Sequence, residues 1–373
     1  MKKILMLTLI AALMVTMLFI GTSCKEEATA EEEVTAEEEV AGGGELIGVT
    51  MPTKSLQRWN QDGDNMKQQL EAKGYTVDLQ YAENDVNAQL SQLENQITMG
   101  CKVLVIASID GSALSEVLSK AVDAGIKSIA YDRLIMATED VDYYTSFDNF
   151  KVGALQGTYI EEALGLAAGN GPFNIELFAG SPDDNNATLF NNGAMSIIQP
   201  YIDNGQLVVV SGQTDFLTIA TPAWKSETAQ ARMDNLITAN YAGDTKLDVV
   251  LCPNDSTAIG VIAALDNVGY GSADKPYPVI TGQDCDVANV IAMIDGKQSM
   301  SVFKDTRTLA AQAVAMVDAI MKGEEVPVND TSTYDNGVKI VPSFLCVPVF
   351  ANKDNYKEIL IDSGYYTEDQ LVK

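Results

Sequence analysis

The chain contains seven short apolar segments, each of which ends in a group of polar, hydrogen-bonding residues. Segments of this length that are apolar throughout are typical of parallel strands covered by helices on both faces. The C-termini of parallel strands meet at one edge of a sheet, where ligands bind. The pattern therefore predicts one site lined by amides, carboxylates, arginine and lysine. The segments are residues 47–51, 103–107, 128–131, 175–178, 249–252, 279–281 and 300–303.

Between these segments the sequence alternates strand and helix patterns. The first predicted helices cover residues 57–73, 88–99 and 113–124, and each is followed by glycine, the residue preferred just after a helix C-terminus. A second strand–helix series begins near residue 152. Two such series predict an α/β protein with two doubly wound parallel-sheet lobes that face each other across a cleft.

The composition excludes several classes of function. The formal net charge is −28 at pH 7, whereas a nucleic-acid partner requires clustered lysine and arginine. The 373 residues include no histidine, which excludes Ser-His-Asp and Cys-His catalysis and most zinc sites. There is also no Gly-Lys-Ser/Thr phosphate loop. We therefore expect no nucleic-acid partner, no metal and no cofactor.

The N-terminal segment is typical of an exported protein. A basic start precedes an apolar run over residues 4–20, and small residues precede Cys24. We expect a signal peptide over residues 1–23 and a lipid on Cys24. Cleavage elsewhere and a retained membrane helix are the alternatives. Residues 24–44 are rich in glutamate and end in glycines, so we expect a flexible tether between a membrane anchor and a folded body in the periplasm or cell envelope.

Five cysteines occur, and none forms a C-x-x-C pair. Apart from Cys24, they lie in or beside apolar stretches, where a buried free thiol is the usual state. A fold of this size does not need disulfides for stability. We therefore favour free thiols over disulfides.

Several motifs together carry a family resemblance. They are Met51-Pro52-Thr53-Lys54 with Arg58-Trp59, Ala130-Tyr131-Asp132-Arg133-Leu134-Ile135, Ser146-Phe147-Asp148-Asn149, Gly180-Ser181-Pro182-Asp183-Asp184-Asn185-Asn186-Ala187 and Gly282-Gln283-Asp284. In this combination the chain resembles the periplasmic multiple-sugar-binding receptors and the D-xylose-binding proteins of ABC import systems. The resemblance extends over residues 46–373.

The resemblance implies the type I periplasmic binding fold, in which two Rossmann-like lobes are joined by three chain crossings. We expect crossings near residues 147–151, near 284–287 and around 326–345. The expected first lobe then comprises residues 45–148 and 286–328. The expected second lobe comprises residues 149–285 and 329–373.

The resemblance also implies which side chains bind the ligand. Planar charged groups and amides suit sugar hydroxyls, which both donate and accept hydrogen bonds, and indoles suit the C–H faces of the ring. The two tryptophans are the stacking candidates, and Asp255 and Asp286 are expected to cap helices rather than bind ligand. The expected ligand-binding residues are Lys54, Arg58, Trp59, Asp132, Arg133, Asp184, Asn186, Trp224, Asn254, Asp284 and Lys304.

These residues favour a receptor over an enzyme. Glycoside hydrolysis needs a carboxyl group with a raised pKa, whereas arginine and lysine should keep Asp132, Asp184 and Asp284 ionised. We expect a monomer that binds a monosaccharide and passes it to a membrane ABC permease. A chemoreceptor or sensor kinase is an alternative partner, and a sugar-modifying enzyme is the alternative class. Gene regulators with the same lobes carry a DNA-binding head, which this sequence does not show.

Overall fold

A computed structural model describes residues 44–372 of the chain. The expected signal peptide, the Cys24 lipidation site and nearly all of the tether lie outside the described residues. Within the described part, twelve strands alternate with ten α-helices. The strands are β1 (Leu46–Met51), β2 (Thr76–Tyr81), β3 (Val103–Ile106), β4 (Lys127–Tyr131), β5 (Tyr143–Phe147), β6 (Phe173–Leu177), β7 (Leu207–Val209), β8 (Val249–Leu251), β9 (Val279–Ile280), β10 (Met300–Phe303), β11 (Ser343–Cys346) and β12 (Val349–Asn352).

The helices follow the strands in the order that the sequence predicts, and most begin at an Asp or Asn cap. Short 3₁₀ turns cover Gly111–Ala113, Leu166–Ala168, Pro222–Trp224 and Glu368–Leu371, and Lys357–Asp362 is a π-helix. The helices are α1 (Gln57–Ala72), α2 (Val86–Thr98), α3 (Ser115–Asp123), α4 (Asn149–Leu164), α5 (Asn185–Asp203), α6 (Phe216–Ile219), α7 (Ser226–Asn240), α8 (Asp255–Asn267), α9 (Val287–Ile294) and α10 (Thr306–Lys322).

The first lobe is built on a six-stranded parallel sheet in the order β11-β5-β4-β3-β1-β2. Successive residues of β3 are buried on opposite faces of this sheet. Val103 and Val105 belong to one apolar cluster, whereas Leu104 and Ile106 belong to another. Burial on both faces explains why the strand is apolar throughout, because helices cover each side.

The second lobe is built on a four-stranded parallel sheet in the order β7-β6-β8-β9. A bridge between Gln283 and Val302 places β10 next to this sheet, and β10 pairs antiparallel with β12. Helix α4 packs against α5, and α7 against α8. The two sheets confirm the predicted fold class.

The chain passes between the two lobes at residues 147–149, 303–306 and 346–349. The second and third positions differ from the expected ones. Residues 287–303 form α9 and β10 of the second lobe, because β10 continues the hydrogen bonding beyond β9. Strand β11 belongs to the first lobe, because it pairs with β5. The sequence patterns of β10 and β11 do not reveal which sheet each strand joins.

Candidate ligand-binding site

A small cavity lies between the two lobes, at the carboxyl ends of their strands. The cavity is lined mainly by charged, amide and aromatic side chains. They are Leu56, Arg58, Trp59, Asp132, Arg133, Asp184, Asn186, Phe190, Trp224, Asn254, Gln283, Asp284 and Lys304.

The first lobe contributes two adjacent pairs of residues. Arg58 and Trp59 lie in the first turn of α1, and Asp132 and Arg133 follow β4 directly. Asp132 has a positive φ of 60°, which turns the chain sharply as it leaves the strand. Non-glycine residues in this conformation are strained and are concentrated at functional sites.

The second lobe contributes the starts of two helices. Asp184 caps α5 and accepts a hydrogen bond from the backbone N–H of Asn186. Asn254 caps α8 in the same way, with Thr257 as the donor. Trp224 lies in a turn with φ of 56° and packs its ring over Gly180, where an added Cβ would approach the ring to 1.9 Å. Only glycine therefore fits beneath this indole.

The segments that follow β9 and β10 complete the cavity with Gln283, Asp284 and Lys304. Asp284 is held by a hydrogen bond from its backbone N–H to the carbonyl of Val302, and its φ is 98°. Lys304 is only 3% exposed. Such a lysine requires paired charges, because an isolated buried cation is strongly unfavourable.

Four of the charged groups form a closed network. Arg58 Nη2 lies 3.0 Å from Asp132 Oδ2, and Arg58 Nη1 lies 3.4 Å from Asp284 Oδ1. Lys304 Nζ lies 3.2 Å from Asp284 Oδ1 and 3.7 Å from Asp132 Oδ2. Two cations and two carboxylates thus neutralise each other inside the cavity, which suits an uncharged polar ligand.

The network governs the protonation of its members. Burial would raise the pKa of Asp132, but Arg58, Lys304 and Arg133 outweigh burial and lower this pKa below its usual value. Burial would lower the pKa of Arg58, but the nearby carboxylates raise it well above its usual value. Asp132 is therefore an ionised acceptor and a poor proton donor.

A separate ion pair joins the two lobes. Arg133 Nε, from the first lobe, lies 2.9 Å from Asp184 Oδ2 of the second lobe. Burial nevertheless raises the pKa of Asp184, and Arg133 offsets this only in part. Asp184 therefore differs from Asp132, because it faces one arginine instead of several cations.

Asn186 connects the lobes through neutral hydrogen bonds. Its Nδ2 donates to the carbonyl of Asp132 (2.8 Å), and its Oδ1 accepts from Nδ2 of Asn149 (2.9 Å) and from the hydroxyl of Tyr144 (3.3 Å). Both the oxygen and the nitrogen of the Asn186 amide are hydrogen-bonded to protein groups. Asn186 therefore links the two lobes as well as lining the cavity.

Five buried polar atoms of residues that line the cavity make no hydrogen bond within residues 44–372. Two of them, Asp132 Oδ2 and Arg133 Nε, are in ion pairs instead. The other three are the indole Nε1 atoms of Trp59 and Trp224 and the amide Oε1 of Gln283. Buried polar groups in proteins are nearly always hydrogen-bonded. Two donors and one acceptor without a partner on the lining of one cavity suit a ligand that both donates and accepts hydrogen bonds.

The two indoles have different supports. The guanidinium carbons of Arg58 and Arg133 lie 4.3 Å and 5.1 Å from the ring centre of Trp59. The ring of Trp224 meets that of Phe190 edge to face, with 6.3 Å between ring centres. Both tryptophans line the same cavity, as the sequence predicts.

The structure places Lys54 away from the cavity. This side chain is exposed, and its Nζ lies 4.9 Å from the ring centre of Tyr81. Lys54 precedes α1 and is not among the lining residues, whereas Arg58 and Trp59, in the first turn of α1, line the cavity. The prediction that Lys54 binds ligand is not supported by this geometry.

The predicted helix caps are also corrected. Asn254, instead of Asp255, caps α8 with its side chain. Asp255 is fully buried and accepts hydrogen bonds from Gln298, Ser301 and the backbone N–H of Asp286. Asp286 precedes α9 but makes no side-chain capping bond. For α8, the sequence rule placed the cap one residue too late. For α9, it placed the residue correctly but assumed a side-chain hydrogen bond that Asp286 does not make.

Sequence reasoning missed three lining residues, namely Leu56, Phe190 and Gln283. Gln283 lies in the Gly282-Gln283-Asp284 motif, which was a usable signal. Phe190 lies one turn after Asn186 on α5, so helical spacing places both on one face. Leu56 directly precedes α1 and carries no distinctive signal.

Residues 44–372 contain no cluster of three or more His, Cys, Asp or Glu residues arranged to hold a metal ion. No helix among them is both long and apolar enough to cross a bilayer. Cys101, Cys252, Cys285 and Cys346 are buried free thiols.

Residues 47–325 match the model of the periplasmic binding protein domain. The chain belongs to the periplasmic binding protein family. This is a family of binding proteins rather than enzymes, which agrees with the sequence-based prediction. The resemblance seen in the sequence is thereby confirmed.

The similarity to individual proteins is extensive. The chain is 56% identical over 325 residues to the multiple sugar-binding periplasmic protein SbpA of Azospirillum brasilense, covering 87% of this chain and 90% of that one. It is 38% identical to the D-xylose-binding periplasmic protein of Escherichia coli, covering 87% of this chain and 92% of that one. An ABC transporter solute-binding protein from Clostridium phytofermentans, solved with bound β-D-glucose, superposes with a TM-score of 0.85 at 62% identity and covers 88% of this chain and 100% of its own.

Proposed function

We propose that this chain is a binding protein for one aldopyranose, namely glucose, xylose, galactose or arabinose, and delivers it to a membrane ABC permease. The observation that carries the proposal is the cavity itself. Buried cations and carboxylates that line it are paired with one another, and two indoles and an amide of its lining residues carry hydrogen-bonding atoms without a partner among residues 44–372.

The charge balance favours a neutral sugar. Among the side chains that line the cavity, three cations face three carboxylates, namely Arg58, Arg133 and Lys304 against Asp132, Asp184 and Asp284. Ionised carboxylates accept from hydroxyl groups, and guanidinium groups donate to them. The relatives support the same ligand class, because two of them are described as multiple sugar-binding proteins and one solved structure contains β-D-glucose.

Closure of the two lobes gives the binding event a readable output. Contacts from both lobes to one ligand favour the closed arrangement, because the ligand binds that state more tightly than the open one. A permease that recognises the closed form would accept only loaded protein. A chemoreceptor or sensor kinase is the alternative partner, and loss of sugar uptake when the gene is deleted would favour transport.

Calorimetry with D-glucose, D-xylose, D-galactose and L-arabinose tests the ligand class. We expect saturable one-to-one binding of at least one of them. Trp59→Ala and Trp224→Ala should each weaken it by about 1–3 kcal/mol through lost stacking and burial. Lys54→Ala is the matched control and should bind like the wild type. Absence of heat with all four sugars would contradict the proposal.

We propose in addition that a lipid on Cys24 anchors the protein in the cell envelope. The support is the order of basic start, apolar run, small residues and cysteine. Cys24→Ser should move the protein from the membrane fraction to the soluble fraction, and an unchanged membrane fraction would point to another anchor.

A further inference from the structure

A carboxylate that does not line the cavity holds one of the groups that does. Asp62 lies one helical turn after Arg58 on α1 and is fully buried. Its Oδ2 accepts from both Nε (3.0 Å) and Nη2 (2.8 Å) of Arg58. Its Oδ1 accepts a hydrogen bond of 2.5 Å from the hydroxyl of Tyr131, the last residue of β4. The carboxylate is thus fixed on one side and grips the guanidinium on the other.

This grip determines where the rest of the guanidinium points. With Nε and Nη2 held by Asp62, Arg58 Nη1 is directed towards Asp284, and the ring of Trp59 lies against the guanidinium. An arginine side chain that is fixed before binding loses less conformational entropy when the ligand arrives. A partner at the i+4 position on a helix is well placed for such a role.

We propose that Asp62 is a positioning residue for the sugar, which fixes the guanidinium of Arg58 towards the cavity only while its carboxylate is ionised and so makes sugar affinity fall in acid. The inference rests on the proposed function, because Arg58 is taken to bind the sugar hydroxyls.

The surroundings of Asp62 support the acid sensitivity. Burial raises the pKa of Asp62 to about 6, with Arg58 opposing the rise and Asp132 adding to it. The other titratable groups facing Asp62 are Tyr131 from β4, Tyr81 from β2 and Tyr365 from the C-terminal segment, and the pKa of each is raised above its usual value.

None of these tyrosines changes charge between about pH 5 and pH 8, whereas Asp62 does. The pKa of Arg58 is raised and that of Asp132 is lowered, so both keep their charges over this range. Once Asp62 is protonated, Arg58 loses the anion that restrains Nε and Nη2. It then keeps only Asp132 and Asp284 as partners, and its guanidinium is no longer fixed in the orientation that the ligand needs.

The test is calorimetry with D-glucose, and with D-xylose as a second probe, from pH 5 to pH 8. We expect the Kd of the wild type to be roughly fivefold higher at pH 5 than at pH 7.5, which corresponds to a one-unit fall in the pKa of Asp62 on binding, from about 6. Asp62→Asn should bind about tenfold more weakly at pH 7.5 and show a flat profile below pH 7.

Three variants serve as controls. Asp64→Asn changes an exposed aspartate on the same helix and should keep the wild-type profile. Asp286→Asn removes a second carboxyl group, whose pKa is about 7, and its sugar affinity should still fall in acid as that of the wild type does. Tyr131→Phe removes a hydrogen bond that lowers the pKa of Asp62, so the loss of affinity should begin at a higher pH.

The outcomes separate the two proposals. If the wild type binds neither sugar at any pH, the proposed function fails. If the wild type binds but Asp62→Asn keeps the same affinity and pH profile, the positioning role alone is overturned. Thermal unfolding establishes that each variant is folded, and if Asp62→Asn is not, an unshifted profile in Tyr131→Phe overturns the role.

Discussion

Asp132 in the cavity and two aspartates that do not line it, Asp255 and Asp286, show opposite protonation behaviour. Asp132 faces Arg58, Lys304 and Arg133, and its pKa is lowered. Asp255 is hydrogen-bonded to neutral amide, hydroxyl and backbone groups, and burial raises its pKa well above the usual value.

The comparison shows that burial alone does not determine the charge of a carboxylate. Burial raises the pKa of each of these aspartates, and the shift is reversed only at Asp132, which faces three cations. For Asp286, burial and then Asp284 raise the pKa to about 7, although Arg58 and Lys304 oppose the rise. A single arginine is not sufficient, because the pKa of Asp184 stays raised beside Arg133. The fold therefore keeps a buried carboxylate charged where several cations surround it.

Replacing the cavity aspartate should have the largest effect. Asp132→Ala leaves Arg58 and Lys304 without one of their two shared carboxylates, so we expect sugar binding to weaken by about 2–5 kcal/mol. Calorimetry with the best-bound sugar measures this loss. Asp132→Asn keeps the shape and removes only the charge, and it separates the two contributions.

An affinity of Asp132→Ala within about twofold of the wild type would contradict the account, because removing one partner of a buried ion pair leaves an uncompensated charge. It would imply that the ion network stabilises the closed fold without taking part in binding.

Replacing Asp286, which does not line the cavity, should have a smaller effect. The effect appears in the pH dependence of the free energy of unfolding. The folded state raises the pKa of Asp286 to about 7 from 3.8, so between these values it binds a proton that the unfolded chain releases. The resulting stabilisation is present at low pH and is lost as pH rises through about 7. In Asp286→Asn, the free energy of unfolding should therefore fall less steeply between pH 5 and pH 8 than in the wild type.

Thermal unfolding of the wild type and Asp286→Asn at several pH values measures this difference, which we expect to be a few degrees in Tm. Asp64→Asn, in which an exposed aspartate is replaced, controls for the change in net charge. Parallel curves for the wild type and Asp286→Asn would show that Asp286 is not protonated in the folded state.

The sequence predicts the strands well, because the two signals that define them are local. These signals are an apolar run and the group of polar residues that follows it. The predicted segment 47–51 lies within β1 (Leu46–Met51), and the apolar pattern of 103–107 includes the buried strand β3. Most cavity residues also follow predicted strands or begin predicted helices. Their convergence follows from parallel topology, which places strand ends at one edge.

What the sequence does not predict depends on contacts between distant residues. The choice between Asn254 and Asp255 as helix cap is decided by Gln298 and Ser301, more than forty positions away. The lobe to which β11 belongs is decided by its pairing with β5. Lys54 and Lys304 each follow a predicted strand, so the sequence does not distinguish them. Lys54 is nevertheless exposed and Lys304 buried, because the path of the chain differs after the two strands.

A crystal structure of the protein grown with D-glucose tests the central claim most directly. The account predicts one pyranose in the cavity, with Trp59 and Trp224 against the ring and Arg58 and Asp132 on its hydroxyls. A sugar bound at another place, or one that touches only one of the two lobes, would contradict it.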